Sequence, residues 1–216
     1  MTDGLKAELE SSDGRRKFAE FLGSIGKADT LKKFDMLTDL YYQVNSVVNI
    51  SGLKTVDDVY IKHYLDSAYH WDKFSGTVCD VGCGGGFPCL PLAILTDCDI
   101  TGLDSVGKKL LLIDRAKTEL GLKNIKTDHA RSEDLAKLGR RFDTVCARAL
   151  ADVDKALSYC APLAKTNGKI VLYRTQNESA ATTQTINKLK VTLKETVDHL
   201  LPGTDIKRRL LVYEKN

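Results

Sequence analysis

The sequence predicts an α/β fold: a mostly parallel, doubly wound sheet with a terminal antiparallel strand pair, preceded by a small N-terminal helical subdomain. Three observations predict it. From Thr77 onward, short apolar runs alternate with helix-period segments, the pattern of a parallel sheet joined by crossover helices. The stretch Asp80-Val81-Gly82-Cys83-Gly84-Gly85-Gly86-Phe87-Pro88 sets a glycine loop between the first such run and the first such helix. The last two candidate strands have only a short segment between them, too little chain for a helical crossover, so they pair antiparallel.

The first 72 residues read as a helical extension. Phe18, Phe21, Leu22 and Ile25 recur at i, i+3, i+4 and i+7, one face of a helix that Gly26 stops. A second helix begins near Thr30 with Leu31, Phe34, Leu37, Leu40, Tyr41, Val44 and Val48 on one stripe, and ends before Asn49-Ile50-Ser51-Gly52. A third opens on Thr55-x-x-Asp58, similar to a capping box, and carries Val56, Val59, Tyr60, His63, Tyr64, Ser67 and Trp71 on its stripe. Residues 73–216 form the α/β domain. Its strands are expected at 77–80, 99–104, 125–129, 142–147 and 168–173, with helices at 90–95, 108–120, 132–138 and 153–163. A helix at 178–190 and the strands 191–198 and 208–214 complete it.

At 216 residues the chain can bury a full core. No apolar run approaches the roughly 18 residues of a membrane-spanning helix, and the polar N-terminus has no signal-peptide core. The six cysteines make no C-x-x-C pair and match no zinc spacing, so no metal is expected. They read as reduced thiols of a cytoplasmic protein, buried as small hydrophobes. A net charge of +3 is a mild basic bias that permits a nucleic-acid partner.

The glycine register selects the cofactor. A dinucleotide site wants G-x-G-x-x-G. Counted from Gly82, its third glycine falls on Phe87; counted from Gly84, it falls on Cys89. Asp80-x-Gly82-x-Gly84-x-Gly86 instead resembles the first motif of Rossmann-like S-adenosylmethionine-dependent methyltransferases. Glycines let the backbone approach a methionine arm closely, and Asp80 at the strand end is expected to face its ammonium group. Asp104 ends the second strand about 20 positions after Gly82, where nucleotide folds keep a ribose-binding acid. Its carboxylate can accept from two vicinal hydroxyls.

The chain resembles a particular family, the bacterial small-subunit ribosomal RNA methyltransferase G proteins. The resemblance rests on Asn49-Ile50-Ser51, His63-Tyr64-Leu65-Asp66-Ser67, the glycine loop through Phe87-Pro88, Leu103-Asp104-Ser105, Ala130-Arg131-Ser132-Glu133 and Ala147-Arg148-Ala149. It implies methyl transfer from S-adenosyl-L-methionine to N7 of a guanine in 16S ribosomal RNA, free or in the small ribosomal subunit, by a monomer. Carried over by position, Gly82 and Phe87 contact the cofactor, Ser132 and Glu133 flank its adenine, and Arg148 lies at the mouth shared by cofactor and substrate. The chain departs from the family pattern at Cys89, where glycine is usual, at Arg174-Thr175, where Lys-Gly is usual, and at Arg209, where His is common.

Guanine N7 has an in-plane lone pair and no proton to lose, so its methylation needs alignment and no general base. Arg148 and Arg174 are therefore expected to grip phosphate or the guanine O6 edge. Cys146 lies in an apolar run without the neighbouring proline of a pyrimidine-C5 nucleophile and reads as core. His63 and Asp66, at i, i+3 spacing, read as a structural or RNA-positioning pair. Four basic clusters offer phosphate contacts: Arg15-Arg16-Lys17, Lys32-Lys33, Arg140-Arg141 and Lys207-Arg208-Arg209. Competing readings are a methyltransferase on a small molecule or protein, a non-catalytic S-adenosylmethionine- or RNA-binding protein, and an NAD(P) oxidoreductase, which the glycine register disfavours.

Overall fold

The computed structural model describes residues 1–216. The helical extension begins with α1 (Asp3–Ser11), which periodicity did not reveal. It is followed by α2 (Asp13–Ser24) and α3 (Leu31–Val48). Side-chain oxygens start the first two: Thr2 accepts from Leu5 N–H at 3.3 Å and Ser12 from Arg15 N–H at 2.9 Å. α3 ends at Asn49 in the left-handed region, φ 54°. The third expected helix runs without a break through α4 (Val56–Asp58), a π-helical turn (Val59–Leu65) and α5 (Asp66–Ala68). Thr55 Oγ1 caps it by accepting from Asp58 N–H at 3.1 Å. π turns are rare and are frequent at functional sites; this one holds His63.

The sheet comprises β1 (Thr77–Val81), β2 (Asp99–Asp104), β3 (Ile125–His129), β4 (Phe142–Arg148), β5 (Ala164–Thr175), β6 (Val191–Leu200) and β7 (Lys207–Lys215). Crossovers pass through α6 (Cys89–Leu95), α7 (Leu111–Glu119), α8 (Ser132–Lys137) and α9 (Val153–Cys160). The strand order is β3-β2-β1-β4-β5-β7-β6. β1 to β5 are parallel, and β7 lies antiparallel between β5 and β6. The expected terminal antiparallel pair is present; its insertion beside β5 is a tertiary choice.

The helix expected at 178–190 is shorter, α10 (Thr183–Leu189). Glu178 explains the difference. Its Oε1 accepts from Thr175 N–H and Thr175 Oγ1, both at 3.0 Å, and closes a turn where helix would otherwise begin.

Two apolar layers cover the sheet. One combines the N-terminal helices with α6 and α7, and Phe18, Phe34, Tyr60 and Tyr64 pack at its centre. The other lies under α8 to α10. The extension therefore shares a continuous core with the α/β domain. Along β1, Val78 joins the first layer while Cys79 and Val81 join the second. That alternation turns Asp80 toward α6.

Candidate functional site

The strand order reverses between β1 and β4, and open α/β sheets bind ligands at such a switch point, beyond the carboxyl ends of the strands. A cavity of about 370 Å³ lies there. Gly82, Asp104, Ser132 and Glu133 all line it, so four of the expected cofactor residues, from three separate loops, converge on one space.

Backbone geometry makes the glycine loop specific to glycine at three positions, Gly82, Gly84 and Gly86, the last with φ +95° and a Cβ that would collide with Leu90 and Ile113. Gly82 has φ +69°, and a Cβ there would collide with Leu150 Cδ1. Gly84 has φ +52°, and a Cβ there would meet nothing within 4 Å, so its Cα faces open space. Asp104 holds this loop in place. Its Oδ2 accepts from Gly84 N–H at 2.9 Å and its Oδ1 from Val106 N–H at 2.8 Å. Each carboxylate oxygen keeps a second acceptor site, so a diol can still be received on the cavity side. Ser132 Oγ donates to Glu133 Oε2 at 3.2 Å, which orients the acid at the start of α8.

Asp80 does not line the cavity. It is fully buried under the loop, where its Oδ2 accepts from Cys89 N–H at 3.1 Å and its Oδ1 has no partner. Burial pushes its pKa up to about 7, partly offset by the Cys89 N–H. The residue that departs from the family pattern, Cys89, thus supplies the amide that holds Asp80.

Phe87 and Arg148 belong to a second cluster, against the helical extension. The Phe87 ring stacks on His63 with centroids 4.1 Å apart. Arg148 donates to Asp66 Oδ2 at 3.1 Å, Lys62 O at 2.7 Å and His63 Nδ1 at 3.0 Å, and its guanidinium lies 5.8 Å from the Phe87 centroid. Asp66 Oδ1 accepts from Arg208 at 3.0 Å. His63 and Asp66 are therefore not bonded as a pair; Arg148 bridges them. Burial, reinforced by the Arg148 charge, pulls the His63 pKa down to about 3, so the imidazole is neutral.

Arg174, expected as a substrate grip, is 4% exposed and turned inward. Its Nη1 donates to Ala151 O and, at 3.2 Å, to Glu178 Oε2, while Nε and Nη2 have no partner. Ala151 belongs to the segment Ala149-Leu150-Ala151 that lines the cavity. Arg174 thus braces the cavity wall from behind. Ala149 in that wall has φ 52°, an unusual conformation for a residue with a Cβ. Leu150 was not foreseen: an apolar residue in a loop carries no periodic signal.

All six cysteines are free and buried. Burial raises the thiols of Cys79, Cys89 and Cys146 well above their ordinary pKa, so none is a thiolate nucleophile. No three His, Cys, Asp or Glu side chains are grouped to hold a metal ion, and no helix is long and apolar enough to cross a membrane.

The family model for rRNA small subunit methyltransferase G matches residues 30–211. A ribosomal RNA small subunit methyltransferase G of Lactobacillus johnsonii is 36% identical over 197 residues, 85% of this chain and 82% of that protein. One from Clostridium perfringens is 32% identical over 218 aligned positions, covering 96% of this chain and 91% of its own. Among solved structures, a SAM-dependent methyltransferase from Aquifex aeolicus superimposes with a TM-score of 0.56 at 14% identity, over 78% of this chain and 97% of its own. At that identity the likeness is one of fold.

Proposed function

The chain belongs to the rRNA small subunit methyltransferase G family, and from that premise we propose that it transfers the methyl group of S-adenosyl-L-methionine to N7 of a guanine in 16S ribosomal RNA. The observation that carries the cofactor is the switch-point cavity. Its volume lies within the range of small-ligand sites. Asp104 offers acceptor positions for a ribose diol, Gly84 leaves the backbone open to a methionine arm, and Ser132 with Glu133 offers hydrogen-bonding groups to an adenine. When bound, that group supplies an electrophilic methyl on a sulfonium.

The residues around the site suit an acceptor that needs no deprotonation. His63 is neutral and fully engaged, and the nearby thiols are unionised. The chain's task is then to hold donor and base in line, a contribution worth ~7–11 kcal/mol when alignment is good. In the transfer the S–CH3 bond breaks as the N7–CH3 bond forms, and the positive charge passes from sulfur to the base. Asp80, buried beneath the loop and held by the Cys89 N–H, acts in this reading on loop shape and not as a base. Arg148 positions Phe87 and His63, and Arg174 the wall at Ala151. The partner is 16S rRNA or the small ribosomal subunit, and the chain works as a cytoplasmic monomer.

The test is methyl transfer from labelled S-adenosylmethionine to protein-free 16S rRNA and to small ribosomal subunits, with mapping of the modified base. Label at a guanine N7 is expected. Label only on a small molecule or protein, or at another atom of the RNA, would overturn the proposal. Calorimetry with Asp104→Ala is expected to show cofactor binding weakened at least tenfold, from loss of both the diol acceptor and the Gly84 clamp.

A further inference from the structure

A second cavity, of about 360 Å³, opens at the opposite end of the same strands, where β1 begins at Thr77, β2 at Asp99, β3 at Ile125 and β4 at Phe142. Five cations line it: Lys117 from α7, Lys123 from the bend before β3, Lys126 from the start of β3, and Arg140 and Arg141 from the segment before β4. Asp99 is the one carboxylate among its lining residues. Lys117, Lys123, Lys126 and Arg141 are exposed and make no ion pair. Arg140 reaches Asp128 only at 3.8 Å and lies over the Phe142 ring at 5.6 Å.

Ion pairing sorts the four basic clusters of the sequence. In Arg15-Arg16-Lys17 every charge is neutralised, by Asp35, Asp13 and Glu20. In Lys207-Arg208-Arg209, Arg208 is bound to Asp66 and Arg209 to Asp198. Lys32 and Lys33 are free, but they are two charges on one helix. Only Arg140-Arg141 is joined by further unpaired cations across a cleft. A polyanion gains most where cations are concentrated and uncommitted, because each phosphate neutralised there releases counterions without breaking an internal pair.

We infer that this cleft is a second docking surface for RNA, taking the sugar–phosphate backbone of the rRNA whose target base enters at the cofactor end; this rests on the RNA substrate proposed above. Strands of five to seven residues separate the two ends by roughly 17–23 Å, so the RNA is held at two points across the width of the sheet. Contacts of this kind are to backbone; they set position and register and leave base choice to the cofactor end.

The test is the triple variant Lys117→Gln/Lys123→Gln/Lys126→Gln in the full-length protein, with Lys32→Gln/Lys33→Gln as the comparison. All five side chains are exposed and free of ion pairs. Binding of 16S rRNA is measured by filter retention across a salt series, S-adenosylmethionine binding by calorimetry, and transfer by initial rates. The triple variant is expected to raise KM for RNA about tenfold with kcat and cofactor affinity kept. It should also flatten log K against log salt by about 2, as three lost phosphate contacts require. An unchanged KM and salt slope, or an equal loss in the Lys32/Lys33 variant, would overturn the docking surface. Parent protein that binds rRNA with the steep salt dependence, loses it in the triple variant and transfers no methyl would overturn the enzymatic reading alone and leave the cleft standing.

Discussion

Arg148 Nη2 and His63 Nδ1 lie 3.0 Å apart, and the direction of that hydrogen bond is dictated by chemistry. A guanidinium can only donate, so Nδ1 accepts. The proton of neutral His63 therefore sits on Nε2, which faces Ser51 Oγ at 3.0 Å. The tautomer is set, and protonating the ring would turn the Arg148 contact repulsive.

That arrangement predicts a stability slope. The unfolded chain binds a proton on this imidazole below pH ~6.5, whereas the folded chain does not until about pH 3. Across that window the unfolded state binds more protons, so the stability from His63 is present above it and falls as pH drops, by ~1.4 kcal/mol per unit. His63→Gln removes the slope. In urea unfolding, the advantage of the parent over the variant should shrink between pH 7.5 and 5.5. An advantage independent of pH would contradict the assignment.

Asp80 predicts the opposite sign. Its folded pKa of about 7 lies above the ordinary value, so the folded state binds the extra proton between pH ~4 and ~7. Stability from this group falls as pH rises through that interval. Asp80→Asn, which cannot titrate, should gain on the parent from pH 5 to about 7 in the same assay and level off above that. A parent that gained on the variant with rising pH would show Asp80 ionised in the fold.

Gly82→Ala combines two costs, a positive φ and a contact with Leu150. The strain costs on the order of 1 kcal/mol and persists whatever surrounds it. The contact drives Leu150 into the cavity and should weaken S-adenosylmethionine binding. Adding Leu150→Ala should recover part of the lost affinity, because it removes the collision. Calorimetry decides: a double variant that binds no better than Gly82→Ala would mean that Leu150 is not the obstacle.

Arg174→Met tests the brace on Ala151. Two buried donors of this guanidinium are unmet, and such groups cost ~1–3 kcal/mol each. Its acid partner Glu178 is a third exposed and stays solvated alone. The variant should keep a Tm within about 4 °C of the parent while binding cofactor several-fold more weakly through a loosened 149–151 wall. A Tm lowered by roughly 10 °C, as loss of a well-made buried ion pair would produce, with cofactor affinity kept, would refute the brace.

Much of the α/β architecture is written locally. β2 and β3 begin and end where the apolar runs do, and β1 and β4 differ from them by one residue, because period-2 and period-3.6 patterns report backbone state and buried face directly. The glycine loop is legible for the same reason: glycine type and positive φ are properties of single positions. Less was legible in the site. Gly82, Asp104, Ser132 and Glu133 follow strand ends, which the pattern locates, and they do meet at the cavity. Arg148 and Arg174 also follow strand ends, but their side chains are long, and where a guanidinium goes depends on acceptors far away in sequence.

By itself, then, the sequence determined the order of the elements, the parallel sheet with its antiparallel finish, and the glycine loop beside the switch-point cavity. Tertiary structure decided the rest. It set β7 between β5 and β6, hid Asp80 beneath the loop it helps define, and committed Arg148 to Lys62, His63 and Asp66. It also paired all of Arg15-Arg16-Lys17 and both arginines of Lys207-Arg208-Arg209 with acids, while leaving Arg141 unpaired beside three free lysines. The physical reason is range. Hydrophobic period acts between neighbours along the chain, whereas charge pairing and cavity shape depend on distances that exist only once the chain has folded.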